Sequence, residues 1–288
     1  MSDAVHTRET TSTTTSTKGI VRPGEVGQAF ELRRFPPAPA LEPFVERYWA
    51  VHWDRRGREP YPVRLISQPC VNITFTHDSA ILHGVGTGTS THLLDGVGRT
   101  FGVKFRPGGY AAFAGRSAVG LTDRSLPLAS ALEVDEPTVE RLTGLVRDAE
   151  DSEAVRHLDS HLTELLPAQV DDTYHDLLRM ISMLLRDRTI TRVAHLSVRS
   201  GISVRTLQRQ FRHYLGVGPK WLIRRYRLHD GAESLATDPR VDPAQLSVEL
   251  GWFDQAHFTR DFAALLGTSP MAYAAACRRA DSPFYDGT

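Results

Sequence analysis

The strongest constraint on this chain is a repeat in its last third. Residues 203–211 read SVRTLQRQF and residues 254–262 read DQAHFTRDF, so Leu207-Gln208-Arg209 and Phe258-Thr259-Arg260 recur in register. Each stretch opens on a residue whose short side-chain oxygen can cap a helix, Ser203 or Asp254. Each closes at a glycine, Gly216 or Gly267, and each follows a shorter helical stretch that stops at Gly201 or Gly251. Two short helices across a tight glycine-containing turn form a helix-turn-helix. Its recurrence signals duplicated architecture.

Spacing predicts the buried faces. They are Leu207, Phe211 and Leu215 in the first unit, and Phe258, Phe262 and Leu266 in the second. The shorter helices carry Val193, Leu196 and Val198, then Leu246, Val248 and Leu250. Away from the apolar stripes lie Arg205, Gln208, Arg209 and Arg212, and then Gln255, His257, Thr259 and Arg260. Arg and Gln are the side chains that bond guanine and adenine edges bidentately in the major groove. Between the units, PKWLIRRYRLHDGAESLATDP reads as a helix of about 18 residues, roughly 27 Å long. That length lets the two reading helices sit about one DNA turn, ~34 Å, apart. Arg224, Arg225 and Arg227 on this helix are candidates for phosphate contact; the alternative is a solvated helix surface. Arg209 and Arg260 suit base or phosphate, Gln255 suits nucleic acid or its own backbone, and His257 suits a phosphate bond or none. Trp221, Phe211, Phe258 and Phe262 read as core rather than as stacking platforms. Ahead of the repeat, residues 173–190 predict a scaffold helix with Leu177, Ile181, Leu184 and Leu185 on one face and Asp172 or Thr173 as its cap.

Charge supports a polyanion partner for this part of the chain alone. Over the whole chain 34 basic residues balance 34 acidic ones. Residues 191–280 hold 13 Arg/Lys against 7 Asp/Glu, whereas residues 1–190 hold 21 against 25.

The first part reads differently. Between residues 44 and 113, short apolar runs are broken by Gly and Pro, and the alternation in VNITF and VKF predicts strands. Gly84, Gly86 and Gly88, then Gly96 and Gly98, read as hairpin turns, and Arg106-Pro107-Gly108-Gly109 as a tight turn with glycine at positive φ. This predicts a β-rich domain, a sandwich or a small barrel. Residues 131–171 read as an acidic helical connector with apolar stripes at Val139, Leu142, Leu145 and Val146 and at Val155, Leu158, Leu162 and Leu165. It packs one face on its own domain or pairs two chains. The expected organisation is α+β. It comprises a disordered Thr/Ser-rich tail over 1–18, a β-rich sensor or association domain over 19–130, the connector over 131–171, an all-α DNA-binding domain over 172–280, and a short tail over 281–288.

Other functions find little support. No run of about 18 apolar residues reads as a spanning helix, and the N-terminus lacks a signal-peptide core. A cytoplasmic, nucleoid-associated protein is expected. Cys70 and Cys277 are too far apart in sequence to suggest a disulfide framework or a zinc site, and Cys70 lies in a strand-like run. His77, His83 and His92 lack the spacing of a metal cupin. GVGTG over 84–88 is not a dinucleotide fingerprint, and there is no GxSxG, Walker lysine or HExxH. No enzyme activity, cofactor or metal is expected.

The stretches GISVRTLQRQFRHYLGVGPKWLIRRYRL and LGWFDQAHFTRDFAALLGTSPMAYAAACRR resemble the DNA-binding domain of the AraC/XylS family of bacterial regulators. The second carries Gly251, Phe253, Asp254, Gln255, His257, Phe258, Arg260, Phe262, Gly267, Ser269 and Pro270 in a nearly unbroken run. The resemblance covers residues 172–280. It implies seven helices, with Arg205, Gln208 and Arg209 on the first reading helix and Gln255, His257, Thr259 and Arg260 on the second. It also implies that the first helix supplies more base contacts. Arg205 stands at a position that varies among relatives, so no target sequence carries over. The earlier part is similar to a β-rich domain of uncharacterised role often fused before such modules, which implies a sensing or association role, with a cupin-like fold as one form. The partners implied are double-stranded DNA, RNA polymerase, a small-molecule effector and a second copy of the chain.

Overall fold

The structure, a computed structural model, describes residues 29–238 and 240–279. The expected tails at 1–18 and 281–288 lie outside the described residues.

The first part holds eight strands: β1 (Glu31–Phe35), β2 (Val45–Asp54), β3 (Tyr61–Ile66), β4 (Asn72–Phe75), β5 (Ala80–His83), β6 (Thr89–Leu94), β7 (Val97–Phe105) and, after a short helix, β8 (Ser125–Pro127). Six of them form an antiparallel sheet in the order β1-β2-β7-β4-β5-β8, and β3 pairs with β6 in a separate two-stranded ribbon. Alternation decides which face each residue serves. Tyr48, Ala50, Ile73, Phe75, Phe101, Val103 and Phe105 bury on the face that helices cover. Val51 and Trp53 lie on the other face with Val63 and Leu94 of the ribbon. Among the described residues the β-rich part is thus an open layered structure, with β1 and β8 as its edges, rather than a closed barrel.

The glycine-rich connections are not hairpins. β6 is joined in sequence to β5 and β7 but pairs with β3. Residues 84–88 and 95–96 therefore carry the chain between the sheet and the ribbon. Alternation reports the face of a strand and not its partner, so the sequence could not separate these cases. A tight hairpin does join β4 to β5, turning on Thr76 and Ser79, and β1 pairs with β2 across a longer connection.

Helices α1 (Gly109–Ala114) and α2 (Leu128–Leu132) lie in the β-rich part; α3 (Glu136–Asp148) and α4 (Asp151–Glu164) are the acidic connector. Val139, Leu142 and Val146 of α3 and Ala154, Leu158 and Leu162 of α4 bury against the sheet-side core. Leu145, expected on the apolar stripe, is exposed. Asp151 is buried at the start of α4 and accepts from Arg99 at 2.7 Å, His52 at 3.0 Å and Arg33 at 3.3 Å. Arg99 also donates to the carbonyls of Val146 and Ala149 at the end of α3. One guanidinium thus closes one helix and holds the acid that opens the next.

Seven helices follow: α5 (Asp172–Arg186), α6 (Val193–Ser200), α7 (Val204–Leu215), α8 (Pro219–Thr237), α9 (Pro243–Glu249), α10 (Gln255–Leu266) and α11 (Pro270–Arg279). The cap of α5 is Asp171, which accepts from the Thr173 amide at 2.8 Å, so neither Asp172 nor Thr173 takes that place. Leu177, Ile181 and Leu184 are buried as spaced, whereas Leu185 is 59% exposed.

Replacing Asp151 by Ala should cost about 3 kcal/mol, because Arg99 then remains half-buried without its carboxylate. Urea unfolding of the variant should show the loss, and an unchanged midpoint would refute this account of the α3–α4 corner.

Candidate nucleic-acid interface

Helices α7 and α10 are built alike. The Ser203 hydroxyl accepts from the Thr206 amide at 3.2 Å and the Asp254 carboxylate from the His257 amide at 2.7 Å. Both preceding turns pass through glycine at positive φ, Gly201 at 69° and Gly251 at 87°. That backbone is open to glycine and costly for a side chain. Leu207, Phe211 and Leu215 bury in the large core. Phe258, Phe262 and Leu266 bury in a second one, with Leu246, Leu250, Trp252 and Tyr273.

The outer faces differ. On α7, Arg205, Gln208, Arg209 and Arg212 are all exposed, and none of the three guanidiniums has an ion-pair partner among the described residues. On α10, Gln255 and Arg260 are exposed, His257 and Thr259 half-buried. Arg260 turns back toward the Ala256 carbonyl at 3.4 Å. Asp261, one residue on, gathers several neighbours: it pairs with Arg224 of α8, lies 3.4 Å from His257 Nε2, and accepts from Trp252 Nε1 at 2.6 Å. Arg224 remains partly exposed beside His257, at 3.3 Å.

Two of the α8 arginines are not surface groups. Arg225 is 4% exposed, donates to the Thr87 carbonyl at 2.5 Å and lies 4.7 Å over the Trp221 ring. Burial pushes its pKa down to about 10. Arg227 is 1% exposed and donates to Asp230 and to the Leu184 carbonyl. Their expected phosphate contact is corrected by this burial: both guanidiniums hold elements of the protein together. Trp221 is half-buried under Arg225 rather than fully enclosed. The sequence signal was ambiguous, because in RRYR only the turn of the helix decides which arginine faces in.

The β-rich part grips the first unit. Ala118 N donates to the His213 carbonyl at 2.7 Å, and Thr122 Oγ1 to the Gly216 carbonyl at 3.0 Å. These contacts hold the C-terminal end of α7 and leave its N-terminal outer face open. Gly108, in the turn expected at positive φ (79°), is part of the same joint, since a Cβ there would lie 2.7 Å from Leu177 Cδ2. Val198 and Val248, at matching places on α6 and α9, are both exposed. No helix among the described residues is long and apolar enough to cross a membrane.

Residues 196–276 match a helix-turn-helix domain family, and residues 33–127 match a domain of unknown function. Residues 196–276 are an AraC-type helix-turn-helix domain. The partner of such a domain is DNA, and the chain that carries it is a transcription regulator. Among solved structures the chain is similar to an AraC-type DNA-binding regulator from Chromobacterium violaceum, 21% identical over 38% of this chain and 96% of that one, with a TM-score of 0.34. It is similar to ToxT from Vibrio cholerae, 11% identical over 86% of this chain and 98% of that one, with a TM-score of 0.37. It is also similar to the DNA-binding domain of AdpA, a global transcriptional factor solved with a target DNA, 24% identical over 38% and 96%, with a TM-score of 0.32. Comparison with curated proteins finds no match.

In the AraC-type domain, replacing Asp261 by Ala strands the buried Trp252 N–H, at a cost of about 1–3 kcal/mol. Because the second unit has its own core, hydrogen exchange should quicken over residues 243–276 and stay unchanged over 193–216. Equal quickening in both units would refute their separate packing.

Proposed function

We propose that the chain regulates transcription by reading two adjacent major-groove segments of double-stranded DNA, α7 on one and α10 on the next. The observation that carries this is the outer face of α7. Three guanidiniums with no ion-pair partner among the described residues flank Gln208 on one exposed face, and the opposite face is packed. Such a face meets both needs of a reader: donors that fit base edges and positive charge toward phosphate. Arg205, Gln208 and Arg209 contact bases, and Arg212 positions the helix on the backbone. Gln255, Thr259 and Arg260 read the second segment. Arg224 and His257, held by Asp261, face its phosphates. Helix α8, with 19 residues and thus about 28 Å of length, separates the two readers by a distance compatible with one DNA turn.

The β-rich part acts as a sensor or as an association domain, in a cytoplasmic, nucleoid-associated protein that works with RNA polymerase. A groove of about 950 Å³ supports the sensor reading, because both parts line it: Gln68, Lys104 and Arg106 from one side, Ile181 and Tyr226 from the other. An effector held there would bear on both at once. Association through a second copy is the other role in view.

Selection of bound sequences from random DNA at two salt concentrations tests the reading. A motif with two half-elements about one turn apart, and affinity falling steeply with salt, is expected. Arg209→Ala should then lose about 1–3 kcal/mol on the motif and relax preference at one position, whereas Arg224→Ala should weaken all DNA alike. Equal losses for both variants on specific and random DNA would overturn the assignment of Arg209 as a base reader.

A further inference from the structure

The two helix-turn-helix turns are unequal. The first runs Gly201-Ile202-Ser203 and the second Gly251-Trp252-Phe253-Asp254, one residue longer between the glycine and the cap. Ile202 packs against the first core. In the second unit Trp252 takes the inward place, buried edge-to-face on Phe258 at 5.2 Å with its N–H on Asp261. Phe253 is left outside and is 92% exposed, more than any other large apolar side chain described. A hydrophobic residue directly before a cap often packs on the fourth residue of the helix. Here that residue is Phe258, and Trp252 already covers it. Phe253 instead walls an open hollow with Asp254, His257, Arg260 and Asp261, at the N-terminal end of the second reading helix.

We infer that Phe253 is a specificity-determining residue that packs on the C5-methyl edge of a thymine in the segment read by α10. The inference rests on the DNA reading proposed above. The N-terminal residues of a recognition helix are the ones that approach base edges. The thymine methyl is the apolar group that the major groove offers, and a phenyl ring has no donor or acceptor with which to read any other edge. On that reading His257, on the wall of the same hollow and 3.3 Å from Arg224, faces the phosphates, and the ring faces the bases beside Arg260.

The experiment uses the full-length protein and its selected motif. Each thymine of the second half-element is replaced singly by deoxyuridine, which removes the methyl and keeps the pairing. At one position the unmodified protein should lose about fourfold in affinity, the worth of burying one methyl group. Phe253→Ala should lose a similar factor on the thymine motif and nothing further on deoxyuridine, with an unchanged melting temperature. Phe253→Leu should retain a preference for thymine. Indifference of the unmodified protein to deoxyuridine, a second half-element without thymine, or full discrimination in Phe253→Ala would overturn the inference. If Arg209→Ala still weakened motif binding in those cases, the DNA reading itself would stand. Absence of any motif would overturn both.

Discussion

The burial of Tyr174 is the packing event on which the rest of this architecture depends. It belongs to α5, the scaffold helix of the DNA-binding part, yet it lies wholly inside a core shared with the sheet. Its ring stacks on Phe44 at 6.2 Å and meets Tyr214 of α7 at 5.8 Å, and its hydroxyl donates to the Pro43 carbonyl at 2.8 Å. Tyr214 in turn donates to Asp171, the cap of α5, and holds that carboxyl below the usual carboxylate range. One side chain therefore ties the β-rich part, the scaffold helix and α7 together. The interior packs like a solid, so movement on the sheet side of this joint is felt at α7. The second unit keeps its own core and touches the β-rich part through Ile66 at the end of β3. The β-rich part is thus packed directly against α7 and less extensively against the second unit.

The helical part was legible in the sequence because its signals are local. A capping Ser203 or Asp254, a glycine that must take positive φ, and a 3.6-residue stripe act within a dozen residues, and each is repeated. The exposed faces of α7 and α10 followed directly from those stripes. What was not legible depends on partners far along the chain. Arg225 differs from Arg224 only in which side of α8 it occupies, and its acceptor, Thr87, lies in the β-rich part. Leu185 continues an apolar pattern but turns outward once Leu184 faces the core. The glycines before β6 and β7 look like hairpin turns until strand pairing sends β6 to β3. Spacing also did not show that Phe253 is extra, because the repeat aligns well on either side of it.

The two units have diverged in electrostatics as well as in turn length. On α7 the guanidiniums have no ion-pair partner among the described residues, and Ser203 makes a neutral cap. On α10 the cap is an acid, Asp254, and a second acid, Asp261, holds Arg224 and lies near His257. Charges already paired within the protein release less binding free energy when they meet phosphate, because an existing partner must be shared. On the proposed reading, the first unit is therefore the stronger source of affinity and of salt dependence. The second is left with a weaker field and an apolar ring, and apolar contact is insensitive to salt. A chain whose net charge is zero can bind a polyanion on these terms, since what the DNA meets is the local field of one helix face and not the sum over the molecule. On the same reading, the joint at Tyr174 lies beside the helix whose displacement would change binding most.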